Sequence, residues 1–136
     1  MIEVETTRFG KLKVEEDRII HFPEGLLGFS KLKRYILLDY KDTSIKWLQA
    51  VDDPDVAFIV INVFELEPEY ELKVPDSVQR LLGLEKPEDA VVLVILRVEE
   101  GKLIANLAGP LLINSQNRRG TQMVIENVSP KVYNMQ

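Results

Sequence analysis

Two stretches of this sequence carry apolar side chains at consecutive positions: Val56-Ala57-Phe58-Ile59-Val60-Ile61 and Ala90-Val91-Val92-Leu93-Val94-Ile95-Leu96. Successive side chains of a strand point to opposite sides, so an alternating strand needs cover on one face only. These two must be covered on both faces, which a barrel or a sandwich crossing provides. Neither approaches the roughly 20 apolar residues that cross a bilayer. A chain of 136 residues has the usual size of one domain, and a single core spanning 1–136 is expected. At about this size folding buries roughly two-thirds of the unfolded chain's surface. With no cysteine in the chain there is neither disulfide nor thiolate metal site.

The remaining signals are short β-rich runs separated by turn residues. Ile2 to Thr6 alternates strictly, and Phe9-Gly10-Lys11 reads as a hairpin turn into Leu12-Lys13-Val14. Arg18 to Phe22 is expected as a strand stopped by Pro23-Glu24-Gly25, and Phe29 to Lys33 as a short helical turn. Tyr35 to Asp39 and Ile45 to Val51 are further strands, the second closed by Asp52-Asp53-Pro54-Asp55. Leu103 to Ile113 and Thr121 to Glu126 supply the last strands, joined by the polar loop Asn114 to Gly120. One segment reads as a convincing helix: Pro75 suits a first turn, Val78, Leu81 and Leu82 share a face, and Gly83 fits just past the end. The expected fold class is all-β, mostly antiparallel and barrel-like, with one or two short helices.

Catalytic chemistry finds little support. His21, between Ile20 and Phe22, has no cysteine nucleophile and no second histidine to work with. Asp52, Asp53 and Asp55 could hold a hard cation, but their spacing does not match a calcium loop and Asp beside Pro is ordinary turn chemistry. No Gly-Lys-Ser/Thr follows Gly25 and Gly28, so no phosphate loop is present. Asn117-Arg118-Arg119-Gly120 could grip an anion through its guanidiniums, or be a solvated hairpin loop. Trp47 reads as core, or as an interface anchor if half exposed. No enzyme, metal or cofactor is expected. The N-terminus, with neither a basic start nor an apolar stretch of signal length, leads to the expectation of a soluble, cytoplasmic protein.

The charge distribution is more informative. The net charge is −5, which argues against direct electrostatic binding to nucleic acid or anionic membrane. Residues 65–90 hold eight acids (Glu65, Glu67, Glu69, Glu71, Asp76, Glu85, Glu88, Asp89) and three bases (Lys73, Arg80, Lys86), an imbalance equal to that of the whole chain. Glu65, Glu67, Glu69 and Glu71 fall at every second position, so an extended strand would project all four from one face, opposite Leu66, Pro68, Tyr70 and Leu72. Pro68 would place that strand at a sheet edge. Such an edge either discourages aggregation or docks a basic partner through charge complementarity.

Three blocks carry a family likeness: Phe22-Pro23-Glu24-Gly25-Leu26-Leu27-Gly28-Phe29; Trp47-Leu48-Gln49-Ala50-Val51-Asp52-Asp53-Pro54-Asp55-Val56-Ala57-Phe58; and Ala105-Asn106-Leu107-Ala108-Gly109-Pro110, continuing through Ile113-Asn114 to Arg118-Arg119-Gly120-Thr121-Gln122. With Thr7-Arg8-Phe9-Gly10 they resemble the bacterial flagellar assembly factor FliW family over nearly the whole chain. Gly109 stands where alanine is expected, and Ala50 where serine is common. The resemblance implies a non-enzymatic regulator that binds the RNA-binding translational repressor CsrA, relieves repression of flagellin mRNA, and binds flagellin in the alternative state of a partner switch. Its residues for these partners are not fixed by the resemblance. The acidic segment with Pro75 to Leu82 is the expected CsrA-binding face, and a more apolar contact is expected for flagellin. A different reading is a small-molecule-binding β-barrel, or a hydrolase built on Asp52 to Asp55, which would require a deep pocket at His21 or those aspartates.

Overall fold

In a computed structural model of the chain, which describes residues 1–134, the two apolar runs become neighbouring antiparallel strands. β6 (Ala57–Asn62) pairs with β7 (Ala90–Glu99) in the register Ile59–Leu96 to Asn62–Leu93. β7 is longer than its apolar run, and its other edge is shared: Ala90 to Leu93 pair with β9 (Leu111–Asn114), and Leu96 to Glu99 with β8 (Lys102–Ala105). From β6 the sheet continues through β5 (Lys46–Ala50) and β4 (Arg34–Asp39) to β3 (Ile20–His21). Beyond β9 lies β10 (Gly120–Gln122), and β8 carries β11 (Lys131–Asn134) on its outer side. All these pairings are antiparallel. The hairpin of β1 (Ile2–Thr6) and β2 (Gly10–Val14) is a separate two-stranded sheet.

The large sheet curls until β3 meets the loop before β10. There the His21 N–H donates to the Arg118 carbonyl at 2.8 Å, within one parallel bridge between His21 and Arg119. The sheet is thus barrel-like but joined at a point, with no ladder along the seam.

Both faces of the central strands are covered, as their composition demands. Val60, Leu93, Leu48, Tyr35, Phe22, Ile20, Leu111 and Ile113 form the inner core. Ile61, Val92, Val94, Leu96, Ala105 and Leu112 face outward and are roofed by the single-turn helix α1 (Val63–Leu66), the segment to Val74, and α2 (Asp76–Leu82). A third cluster, Val4, Ile19 and Ile36, lies under the β1–β2 hairpin. Every second residue of β6 and β7 therefore serves a different core.

The helix expected at Pro75 to Leu82 forms as α2, with Leu82 fully buried and Val78 and Leu81 partly so. Gly83 ends it at φ +62°, a left-handed conformation glycine adopts without a Cβ penalty. Other boundaries differ. Glu16–Arg18 form a 3₁₀ turn, so the strand expected from Arg18 begins only at Ile20. Phe29 to Lys33 contain one i→i+3 bond, Leu32 N–H to Phe29 C=O at 3.2 Å, and no helix. Leu103 to Ile113 divide into β8 and β9 around a turn at Asn106 to Pro110, where Pro110 lacks a donor for the ladder. Thr121 to Glu126 contribute only the short β10.

The blocks behind the family likeness do structural work at the seam and in the loops. Phe22, fully buried, stacks edge-on to Tyr35 at 5.5 Å and lies against Gly120, where a Cβ would come within 2.6 Å of its ring. Gln49, also fully buried, directs Nε2 at the carbonyls of Ala50, Asp53, Pro54 and Val56 at 3.1–3.3 Å, holding the aspartate turn. Asn114 and Asn117 each donate from Nδ2 to the Leu82 carbonyl, at 3.0 and 2.8 Å, satisfying the open C-terminal end of α2.

Gly120→Ala is expected to destabilise the protein by about 1–3 kcal/mol through overpacking. Val124→Ala, at a side chain 65% exposed, should stay within about 0.5 kcal/mol. Chemical denaturation of Gly120→Ala in wild-type and Phe22→Leu backgrounds checks the cause: the smaller ring should make the pair cost less than the sum of the singles.

Candidate functional site: an apolar groove in an acidic segment

The acidic segment is not the edge strand its alternation suggests. The Asn62 side chain accepts the Phe64 N–H at 3.0 Å and caps a helical turn, so Glu65 sits on α1. Pro68, lacking an N–H, interrupts any ladder, and residues 67–75 run as turn and irregular chain. Alternation returns after Pro68 without strand pairing: Glu69, Glu71 and Lys73 are exposed, while Tyr70, Leu72 and Val74 are half-buried against the outer core. The four glutamates therefore do not share a face. Glu69 and Glu71 do, Glu65 is exposed one element earlier, and Glu67 turns aside.

Glu67 accepts a charged hydrogen bond from Lys131 Nζ at 2.6 Å, tying the acidic segment to β11. That bond holds the Glu67 carboxyl below its ordinary range and raises Lys131. Tyr133, two residues on, has its phenol pushed up, first by burial and then by the Glu67 charge.

Beside this segment lies a groove of about 430 Å³. Phe64, Leu72 and Val74 form one side, Leu84 and Pro87 the other, and Ala90, Val92 and Leu112 the floor. Its shape depends on α2, because Gln79 Nε2 donates to the Val74 carbonyl at 2.9 Å and pins the extended segment to the helix. Phe64 is 45% exposed at the mouth, its ring edge-on to Tyr70 at 6.3 Å. All these residues except Val92 and Leu112 belong to residues 64–90. Glu65, Glu69, Glu71, Asp76, Glu85 and Glu88 are exposed there, and among the described residues none has an ion-pair partner within 4.0 Å. A second depression, of about 540 Å³, lies on the other side of α2 between Ser77, Val78 and Leu81 and the stretch Thr121 to Val124. The exposed Leu27 adjoins it, its N–H donating to Gln122 Oε1 at 2.8 Å.

The other candidates have structural settings. Asp52 is held by a two-pronged Arg34 guanidinium at 2.6 and 3.1 Å, which keeps its carboxyl below the usual range. Asp53 accepts the Asp55 N–H at 3.0 Å, and Asp55 accepts from the Thr7 hydroxyl. His21 is exposed, and neither it nor these aspartates line the groove or the second depression. Asn117 to Arg119 lie in the β9–β10 loop, where Asn117 caps α2, and Gly120 opens β10. Trp47 is half-buried beneath the β1–β2 turn, with the Arg8 guanidinium 4.6 Å above its ring and Phe9 edge-on at 6.1 Å. Among the described residues no group of three His, Asp or Glu side chains is placed to hold a metal ion, and no helix is long and apolar enough to cross a membrane.

The groove could not be read from the sequence, because its floor comes from β7 and β9 across long separations. The Lys131 latch was also missed. Val132-Tyr133, a β-branched and aromatic pair after Ser129-Pro130, was the signal for β11.

These elements define a small antiparallel β protein in which an apolar groove and a second depression flank one short helix. The chain belongs to the FliW family: the family model described as "FliW protein" matches residues 3–135. It is 40% identical over 134 residues to the flagellar assembly factor FliW of Magnetococcus marinus, covering 96% of this chain and 83% of that one. The flagellar assembly factor FliW of Leptospira interrogans is 36% identical over 135 residues, covering 96% and 90%. A crystal structure of the flagellar assembly factor FliW superposes with a TM-score of 0.86 at 32% identity, covering 96% of this chain and 93% of that one.

The Glu67 latch has a definite pH signature. Its carboxyl titrates lower in the folded protein than the ordinary value of 4.5, so its stabilising contribution is complete above that value and is lost as pH falls through the folded pKa. The melting temperature of Glu67→Gln should therefore lie below wild type at pH 7, and the gap should close well below pH 4.5. A gap unchanged by acid would show that the charge of Glu67 is not what holds β11.

Proposed function

We propose that this protein is a cytoplasmic, non-enzymatic regulator of flagellin synthesis. It binds a CsrA-type RNA-binding translational repressor through the face built by Glu65, Glu69, Glu71 and the adjoining α2, and binds flagellin in the alternative state of a partner switch. The observation that carries the reading is the concentration, on one segment of a FliW-family chain, of exposed carboxylates that lack ion-pair partners among the described residues. A protein that grips RNA phosphates presents basic surface, and an acidic face is its electrostatic complement. Binding there also brings negative charge near the RNA-binding surface and lowers its attraction for phosphate. Glu67 takes no part in this face, since Lys131 already neutralises it.

Flagellin calls for a contact of different character. Leu27 and Val124, both more than 60% exposed beside the second depression, offer apolar surface for a helical face. That surface lies on the far side of α2 from the groove.

Reversal of Glu65, Glu69 and Glu71 to Lys should weaken binding of the purified repressor by at least about tenfold at low salt while leaving the melting temperature close to wild type. The loss should shrink as salt is raised, because exposed charges are screened. Val124→Asp should weaken flagellin capture and leave repressor binding intact. Undiminished repressor binding by the triple reversal would rule out the acidic face. Glu67 is left unaltered in this test, because a lysine there would face Lys131 and disturb β11.

A further inference from the structure

The acidic face encloses a feature that charge alone does not require. The groove between α1, the segment ending at Val74, and the Leu84–Pro87 turn is walled by Phe64, Leu72, Val74 and Leu84 and floored by the fully buried Leu112. At about 430 Å³ it has room for one large side chain and part of its neighbours. Phe64 stands 45% exposed at its mouth, although water is a poor environment for such a ring and burying it is favourable. Tight interfaces place an apolar anchor in a desolvated pocket and surround it with polar groups that exclude water.

We propose that this groove receives a single large apolar side chain, aromatic or leucine-like, carried on a basic segment of the protein partner. This rests on the reading of the acidic face as the repressor-binding surface and specifies how that face is engaged. The occupant is set by charge complementarity. Glu65 follows Phe64, Glu71 precedes Leu72, Glu85 lines the groove, and Glu88 follows Pro87. Among the described residues Lys86 is the one base lining the groove, so an acidic segment would meet like charge on most sides. Lysines or arginines flanking the anchor would meet carboxylates that lack ion-pair partners among the described residues. The division of labour is then physical: the rim charges steer and orient, and the groove supplies the contact that holds.

The test uses the full chain and the purified CsrA-type repressor, with calorimetric titrations at low and high salt. Phe64→Ala removes the mouth of the groove, and Lys86→Trp, at an exposed position lining it, fills it from the surface while making the face more acidic. Each should weaken binding about tenfold or more at both ionic strengths, mainly by faster dissociation. Melting curves confirm that each variant folds, and the two alter the groove in opposite senses, so misfolding of one does not decide the matter. Wild-type affinity in both folded groove variants, with charge reversal still harmful, would overturn the anchor and leave the acidic face standing. Wild-type affinity in groove and charge variants alike, or no binding by the wild type, would overturn both.

Discussion

The two-sided burial of β6 and β7 is the constraint on which the rest of the fold depends. Val60 and Leu93 look inward while Ile61, Val92 and Val94 look outward, so neither face can be left to water. Curling the sheet until His21 meets Arg118 closes over the inner set. The outer set needs separate cover, and the chain supplies it locally, with α1 directly after β6 and α2 just before β7. The acidic segment between those helices is therefore roof before it is anything else. Its Tyr70, Leu72 and Val74 seal the outer core, and its glutamates face solvent because the inward positions are taken.

This arrangement explains what could and could not be read from the residues. The apolar runs announced a covered sheet and the period of Val78, Leu81 and Leu82 announced α2, because both signals are local and strongly periodic. The alternation of Glu65 to Glu71 was equally regular and misled. An alternating pattern reports one face apolar and one polar, which an unpaired extended segment on an outer core also satisfies. The discriminating residues were Asn62, whose cap starts a helical turn, and Pro68, which breaks the ladder. The groove and the Glu67–Lys131 contact join parts of the chain separated by tens of residues, and no local signal reports such meetings.

The residues that carry the family likeness mostly hold the scaffold. Phe22 and Gly120 fit together at the seam, Gln49 organises the aspartate turn, and Asn114 and Asn117 fasten α2. They set where α2 sits and hence where the groove opens, yet they do not themselves line it. Family membership and the proposed mode of repressor binding thus rest on different residues. The first is written in turns and caps, and the second is proposed to lie in the segment from Phe64 to Ala90.

In the proposed complex a basic partner is engaged by that segment. Hydrogen–deuterium exchange of the full chain, with and without the CsrA-type repressor, reads it most directly. Protection on binding should concentrate in residues 64–90 and leave the β1–β2 hairpin unchanged. Protection confined to the hairpin, or to the Leu27–Val124 surface, would contradict it.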